Sequence, residues 1–127
     1  MYSSTEIAER KAVWSAFSDL FLDTDVTLNY HYIIRVCGAS KLTMEELEYI
    51  LKYEVAPVAL PNLYCVAGEW AGFDEEWLIT EICKLEKREE GFRNRVSNFL
   101  SKLGMNDYTA KHWLAIAPQI QNFRRNA

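Results

Sequence analysis

The stretch SSTEIAERKAVWSAFSDLFL, residues 3–22, decides the fold class of this chain. Ser3 and Glu6 have the spacing of a capping box, in which two side chains satisfy the first free N–H groups of a helix. Apolar residues then recur at helical intervals, at Ile7, Val13, Trp14, Phe17, Leu20 and Phe21. The stretch therefore predicts a first helix from Ser4 to Leu22.

The same signal recurs at residues 43–57. Thr43 and Glu46 repeat the capping-box spacing, and an apolar stripe follows at Leu47, Ile50 and Leu51. Pro57 disfavours helical geometry at the residue before it, so the pattern predicts a helix from Thr43 to Val55 that ends there. Its other faces carry acidic residues, at Glu45, Glu46, Glu48 and Glu54.

Residues 28–37 are compatible with two structures. Leu28, Tyr30, Tyr32, Ile34 and Val36 alternate as in a strand, whereas residues 30, 33, 34 and 37 form a helical stripe. Gly38 favours the helix because it lies where a left-handed C-terminal cap is expected. A lone strand would also lack a partner.

The rest of the chain is read as further helices. Pro57 and Pro61 favour a short helix over Val58 to Ala67, and Asp74 is placed to cap a helix whose core face is Trp77, Leu78, Ile82 and Leu85. Another stripe runs over residues 92–103, and it is uncertain whether Gly91 separates it from the preceding helix.

The last helix should begin near Asn106 or Asp107, bury Trp113, Leu114 and Ile116, and be interrupted at Pro118. The tail, residues 119–127, is expected to fray. Together these elements predict an all-α, compact single-domain bundle of five to seven helices over residues 1–127.

Composition agrees with a folded domain that needs neither disulfide nor metal. Half of the 127 residues are hydrophobic and only eight are Pro or Gly. The three cysteines, Cys37, Cys65 and Cys83, form no CxxC pair and lie in apolar patterns, so we interpret them as core residues. No segment predicts a membrane span or a signal peptide, and the expected location is the cytoplasm.

The charges of the chain are segregated along its length. Residues 1–83 contain 5 Lys/Arg and 14 Asp/Glu, whereas residues 84–127 contain 9 and 4, which gives net charges of −9 and +5. An acidic surface can attract and hold a basic protein. Nucleic acid is an improbable partner because the helix after Thr43, the candidate recognition helix of a helix-turn-helix, would be repelled by phosphates.

No catalytic or cofactor motif is supported by its surroundings. The segment LFLDTDVTL, residues 20–28, resembles the DxDxT opening of haloacid-dehalogenase phosphatases, in which Asp23 would be the nucleophile and Asp25 the general acid. That motif follows a buried parallel strand, whereas here helical spacing precedes it, so capping roles for both residues are favoured. The same residues fail as a calcium loop, because Leu28 and Ile34 occupy the positions of its Gly and Glu. His31 and His112 share no metal-ligand spacing, and we expect a protein without enzymatic activity, metal or cofactor.

One dense pattern resembles a known family. The segments EVAP (54–57), NL (62–63), AGEWAGFD (67–74) and WL (77–78), with FLDT (21–24), are similar to a family of small bacterial proteins described only as a domain of unknown function. The resemblance covers about residues 9–83. It implies a bacterial, intracellular origin and supplies no catalytic residue, ligand or partner.

These observations favour a protein-binding function. The leading hypothesis is a bacterial immunity or antitoxin-like protein that binds and neutralises a basic toxin, with a nuclease as the leading toxin class. The alternative is a helical adaptor or regulatory subunit that binds another protein or itself; a phosphatase using Asp23 and Asp25 is a remote third. The candidate contacts are acidic residues with one aromatic anchor, at Glu45, Glu46, Glu48, Glu69, Trp70, Asp74, Glu75 and Glu76.

Overall fold

The computed structural model describes residues 2–21, 26–59, 74–86, 98 and 105–126, and in these ranges every regular element is helical. The α-helices are α1 (Ser4–Ser18), α2 (Tyr30–Ala39), α3 (Met44–Tyr49), α4 (Ala56–Ala59), α5 (Glu75–Glu86) and α6 (Met105–Arg125). A π-helical segment, Ile50–Val55, joins α3 to α4 without a break, and 3-10 turns occupy Asp19–Phe21 and Val26–Asn29. The all-α prediction is confirmed.

Helix α1 begins as its capping box predicts. The Ser3 hydroxyl accepts the Glu6 backbone N–H at 3.2 Å, and the Glu6 carboxylate accepts the Ser3 N–H at 3.1 Å. The α-helical geometry ends at Ser18, and a 3-10 turn carries Leu20 and Phe21 into the core. Trp14 and Phe17 are fully buried, so α1 supplies the centre of the core.

Helix α2 confirms the helical interpretation of residues 28–37, but the role expected for Gly38 is wrong. Gly38 lies inside the helix, and Ser40 is the C-cap, with an extended backbone. The reason for a glycine here is the Phe123 ring of α6, because an added Cβ would overlap three of its ring atoms. Gly38 therefore permits close packing of α2 against α6.

The helix that begins at Thr43 is longer than predicted. Its capping box forms as expected, but the helix continues through Pro57 to Ala59. In a regular α-helix the Pro57 ring would clash with the carbonyl four residues earlier. The π segment widens the turn before it, and the Ala56 N–H bonds to the Leu51 carbonyl, five residues back. This widening accommodates the proline without ending the helix.

Helix α6 also continues beyond an internal proline, Pro118. The interruption expected at Pro118 is wrong, since α6 extends to Arg125. The tail that was expected to fray is helical over residues 119–125. Pro118 and Leu114 face solvent, where water can satisfy the carbonyl that loses its N–H partner. Leu114 is 73% exposed, so its predicted burial is wrong as well, whereas Trp113 and Ile116 are buried as expected.

The end of α6 is held by Arg124. Its guanidinium donates hydrogen bonds to carbonyls at the end of α2 and just after it, including Cys37 O at 3.0 Å and Leu42 O at 2.5 Å. Ile120, one helical turn earlier, is fully buried. These contacts hold the C-terminal end of α6 against α2, an arrangement that the sequence pattern did not predict.

One cluster of buried side chains joins all these helices. Helix α1 packs against α2, the π segment and α5, and α6 packs along α2. The cluster contains Val13, Trp14, Phe17, Leu20, Ile33, Leu47, Leu51, Val55, Leu78, Ile82, Ile116 and Ile120, among others. Each fully buried large apolar side chain contributes about 1.5–3 kcal/mol through removal from water, so this core dominates stability.

The structure also bears on the cysteines. Cys37 is fully buried, and burial raises the pKa of its thiol to about 12, so the thiol stays protonated and unreactive at neutral pH. Cys83 is partly buried against the core. Cys65 lies outside the described residues, as do residues 60–67 of the helix predicted from Val58 to Ala67 and the apolar side chains of the stripe over 92–103.

Candidate functional site

Helix α3 and the π segment display an acidic-aromatic stripe on their outer side, formed by Glu45, Glu48, Tyr49, Lys52 and Tyr53. Each of these positions has another member of the stripe three or four residues away, while Leu47, Ile50 and Leu51 point into the core. Tyr49 and Tyr53 are 42% and 50% exposed as residues, and their ring centroids lie 5.2 Å apart. The stripe thus combines negative charge with exposed aromatic surface.

The three predicted acidic residues of this helix differ in how far they are engaged. Glu48 forms an ion pair with Lys52 at 2.5 Å. Glu46 accepts the Thr43 backbone N–H at 3.1 Å in the capping box and pairs with Arg10 at 3.3 Å. Glu45 is exposed and has no ion-pair or hydrogen-bond partner among the described residues. Of these three carboxylates, Glu45 is therefore the most available to a partner.

Arg10 links α1 to this region. Its guanidinium carbon lies 4.7 Å from the centroid of the Tyr2 ring, while its Nη2 reaches the Glu46 carboxylate. Its Nε is buried and has no hydrogen-bond partner among the described residues. A guanidinium stacked on an aromatic ring and paired with a carboxylate combines cation–π and charge attraction.

A surface pocket of about 230 Å³ opens beside this arginine. Its walls are Tyr2, Arg10, Thr43, Glu45, Glu46, Tyr49 and Ile50. Small-molecule sites usually measure about 300–1,000 Å³. The volume therefore suits one side chain or a few water molecules better than a cofactor.

A buried carboxylate lies beneath the stripe. Glu54 is only 4% exposed, accepts a hydrogen bond from Trp14 Nε1 at 3.0 Å, and accepts another from the Tyr2 hydroxyl. Burial, the hydrogen bond to Glu54 and its charge together hold the pKa of Tyr2 well above its ordinary value. The interpretation of Glu54 as a surface acid was wrong. It lies seven residues after Leu47 and three and four after Leu51 and Ile50, so helical spacing alone could have placed it on the inner face.

The second group of predicted contacts lies at the start of α5. Asp74 caps the helix as predicted, because its Oδ1 accepts the Trp77 N–H at 2.9 Å. Glu75 and Glu76 are exposed in the first turn. Trp77 is 40% exposed rather than in the core, since Leu78 and Ile82 occupy the inner face. Glu69 and Trp70 lie outside the described residues, and the structure does not place them relative to this turn.

A cluster of one histidine and two tyrosines lies at the contact between α2 and α6. His112 is buried, shares a hydrogen bond with the Tyr30 hydroxyl, and packs edge-on against Tyr108 with centroids 4.5 Å apart. Burial, followed by the charge of Lys111, lowers the pKa of His112. The Tyr108 hydroxyl donates to the Leu20 carbonyl at 2.5 Å, which ties α6 to the end of the first helical region. We interpret this cluster as a packing contact between α2 and α6.

Two further predictions concern chemistry. Asp23 and Asp25 lie outside the described residues, so neither the phosphatase hypothesis nor their capping role meets a structural test. In the part of the chain that the structure describes, no three His, Cys, Asp or Glu side chains are grouped to hold a metal ion. None of the helices described there combines the length and apolarity that a membrane crossing requires.

Comparison with known proteins identifies a family. The sequence model of a family described as "Domain of unknown function (DUF7079)" matches residues 8–119. The resemblance to an uncharacterised family is thereby confirmed, over a longer range than the 9–83 that the quoted segments suggested. No curated protein and no solved structure matches the chain.

Proposed function

We propose that this chain, which belongs to the DUF7079 family, is a small acidic protein-binding domain that acts as an immunity or antitoxin-like protein against a basic toxin. A bacterial, cytoplasmic setting and the absence of enzymatic activity are part of the proposal. The family's description supplies no activity, so the proposal rests on the chemistry of the surface.

The observation that carries the proposal is the stripe on α3 and the π segment. Its helix is fixed by fully buried Leu47 and Leu51, so the carboxylates are presented on a rigid support. Glu45 has no internal cation among the described residues, and Glu46 and Glu48 are each partly exposed. Carboxylates ordered in this way can mimic phosphates and raise the association rate of a basic protein at low salt.

The proposal predicts a partner that is captured in a salt-dependent manner. The tagged chain would be used to capture proteins from a lysate of the organism that carries it, at low and at high salt. We expect a stoichiometric basic protein that is lost at high salt, because exposed charges are screened within about 10 Å at 0.1 M salt. Expression of that protein in a second host should arrest growth, and co-expression of this chain should restore it.

A charge variant locates the contact. Glu45→Lys, Glu46→Gln and Glu48→Lys would be combined; Gln at position 46 can still complete the capping box, so the helix start is preserved. The control places lysine at Glu75 and Glu76 on α5, which are exposed at the other predicted contact. Loss of protection only in the α3 variant supports the proposal. Protection that survives this variant would remove the stripe from the function.

The alternative of a helical adaptor is favoured by one observation, the 40% exposure of Trp77 beside Glu75 and Glu76. An exposed tryptophan is a common anchor in protein interfaces. An adaptor that used it would bind mainly through apolar burial, so its partner should survive high salt. Trp77→Ala would then abolish capture, whereas the α3 charge variant would leave it unchanged.

A further inference from the structure

The walls of the pocket beside Arg10 hold a guanidinium group from within the chain itself. Within the chain, the Arg10 guanidinium stacks on the Tyr2 ring and pairs with the Glu46 carboxylate. One ring and one carboxylate together satisfy both properties of a guanidinium, its polarisable planar face and its fork of N–H donors. This pairing is an internal example of arginine recognition at the pocket wall.

A second ring and a second carboxylate line the same pocket. Tyr49 and Glu45 are both wall residues, and they lie four positions apart on one helix, so their side chains are neighbours. Tyr49 is 42% exposed. Glu45 has no hydrogen-bond or ion-pair partner among the described residues. The open side of the pocket therefore has the same combination of ring and carboxylate that holds Arg10, with an exposed ring at Tyr49.

We propose that Tyr49 and Glu45 form a receptor for an arginine side chain of the partner protein, an inference that rests on the proposed function and specifies its contact. The arginine enters the pocket, stacks on the Tyr49 ring and donates to the Glu45 carboxylate. The Glu48 carboxylate lies one turn along the stripe and adds negative potential.

The site selects arginine over other cations. A lysine ammonium is a compact, strongly hydrated charge that cannot stack as a plane, so it gains less from Tyr49. The volume of about 230 Å³ exceeds the 10–15 Å³ that one water needs and remains below the usual range for cofactors. One long side chain matches that space.

The test uses a short peptide as the probe, an acetylated and amidated hexapeptide of alternating Arg and Gly. It is titrated into the full, isotope-labelled chain at low salt while backbone NMR shifts are recorded. The matched probe replaces each Arg by citrulline, which keeps the shape and removes the charge. We expect shifts centred on residues 45–50 with the arginine peptide and none with the citrulline peptide.

Variants identify the residues responsible. We expect Glu45→Gln and Tyr49→Leu each to weaken binding of the arginine peptide about two- to five-fold, as exposed charge pairs and cation–π contacts of this size do. Two controls make the same changes at exposed residues that neither line the pocket nor belong to the predicted contacts, Glu9→Gln on α1 and Tyr32→Leu on α2. Both should bind the peptide with little change. All four sites are exposed, so folding is checked by circular dichroism.

Several outcomes would overturn the site. They are equal binding of the citrulline peptide, equal losses in the Glu9 and Tyr32 controls, and no binding of the arginine peptide. These outcomes are separable from failure of the proposed function. If a salt-sensitive toxin is captured equally by wild type and Glu45→Gln, the site fails and the function stands. If the peptide binds at residues 45–50 but no toxin exists, the site stands and the function fails.

Discussion

The hydrogen bond from Tyr2 to Glu54 offers a precise test of how the N-terminal segment is held. Tyr2→Phe deletes one hydroxyl and leaves a ring that can keep its place 6.1 Å from the Trp14 ring and under the Arg10 guanidinium. The Glu54 carboxylate loses one donor and keeps the Trp14 indole at 3.0 Å. The substitution therefore separates the hydrogen bond from the packing around it.

The expected loss follows from the charge and burial of the acceptor. Hydrogen bonds to charged groups contribute about 1.5–3 kcal/mol, and removal of a donor from a buried carboxylate exacts part of its desolvation cost. Tyr2 itself is only partly buried, which places the loss near the lower end, at about 1.5 kcal/mol. For a chain of this length, that corresponds to a fall in Tm of roughly 5 °C.

The pH dependence provides an independent check on the same group. Burial, the bond to Glu54 and its charge raise the pKa of Tyr2 above the ordinary value of 10.0. The folded state therefore binds this proton more tightly than the unfolded state does. Its stabilising effect is complete below pH 10 and declines as the pH rises beyond that value. The difference in unfolding free energy between wild type and Tyr2→Phe should narrow above pH 10.

The assay is urea unfolding followed by far-ultraviolet circular dichroism at pH 7 and between pH 9 and 11. Tyr53→Phe is the matched control, since Tyr53 is 50% exposed and should change stability by less than about 0.5 kcal/mol. A Tyr2→Phe variant as stable as this control at pH 7 would refute the reasoning. A difference that widens above pH 10 would refute the assigned direction of the pKa shift.

Three further predictions concern helix packing. In urea unfolding, Gly38→Ala should destabilise the chain by about 1 kcal/mol, because the added Cβ displaces the Phe123 ring. The same change should stabilise a Phe123→Ala variant, where only the gain in helix propensity remains. Equal effects in both backgrounds would contradict the close contact. Arg124→Met should cost about 2–3 kcal/mol by thermal unfolding, since its guanidinium serves several carbonyls, while the exposed Arg125→Met should cost under about 0.5 kcal/mol. The lowered pKa of His112 means that the unfolded state binds a proton at this imidazole more readily than the folded state does. The wild type should therefore lose stability as the pH falls below about 6.5, and His112→Phe should lose less between pH 6.5 and 5. Parallel profiles of unfolding free energy against pH would argue against burial of a neutral imidazole.

Local signals predicted where the helices begin. The capping boxes at Ser3/Glu6 and Thr43/Glu46 form with both reciprocal hydrogen bonds, and Asp74 caps α5. Each of these signals depends on residues three positions apart, so the sequence contains the whole interaction. Helix existence and fold class could be predicted for the same reason.

Helix ends and surface assignments depended on distant residues. Gly38 was expected to end α2, but Phe123 from α6 determines its role. Pro118 was expected to break α6, but buried Ile120 and the Arg124 contacts hold the helix beyond it. These partners are more than eighty residues from α2 in sequence, and no local pattern indicates that they meet.

The acidic residues of the candidate site could be predicted from helical spacing, but the pocket beside them could not. Glu45, Glu46 and Glu48 lie on the outer side as the helical spacing indicated, and their sign of charge could be read directly. The pocket could not be predicted, because its other wall comes from Tyr2 and Arg10 on the N-terminal segment and α1. No sequence signal singled out Tyr49, which lines the same pocket as the Tyr2 ring and Arg10.

The buried Glu54 connects the stability of the fold to the shape of this site. It accepts hydrogen bonds from the Tyr2 hydroxyl and from the Trp14 indole, so the carboxylate joins the N-terminal segment, α1 and the π segment. Tyr2 is also a wall of the pocket and the surface on which Arg10 stacks. Burial of a carboxylate costs free energy unless hydrogen bonds compensate for the lost water, so displacement of either donor is unfavourable. The same requirement that stabilises the core therefore holds one wall of the pocket in position, and a site formed in advance loses less entropy when a partner binds.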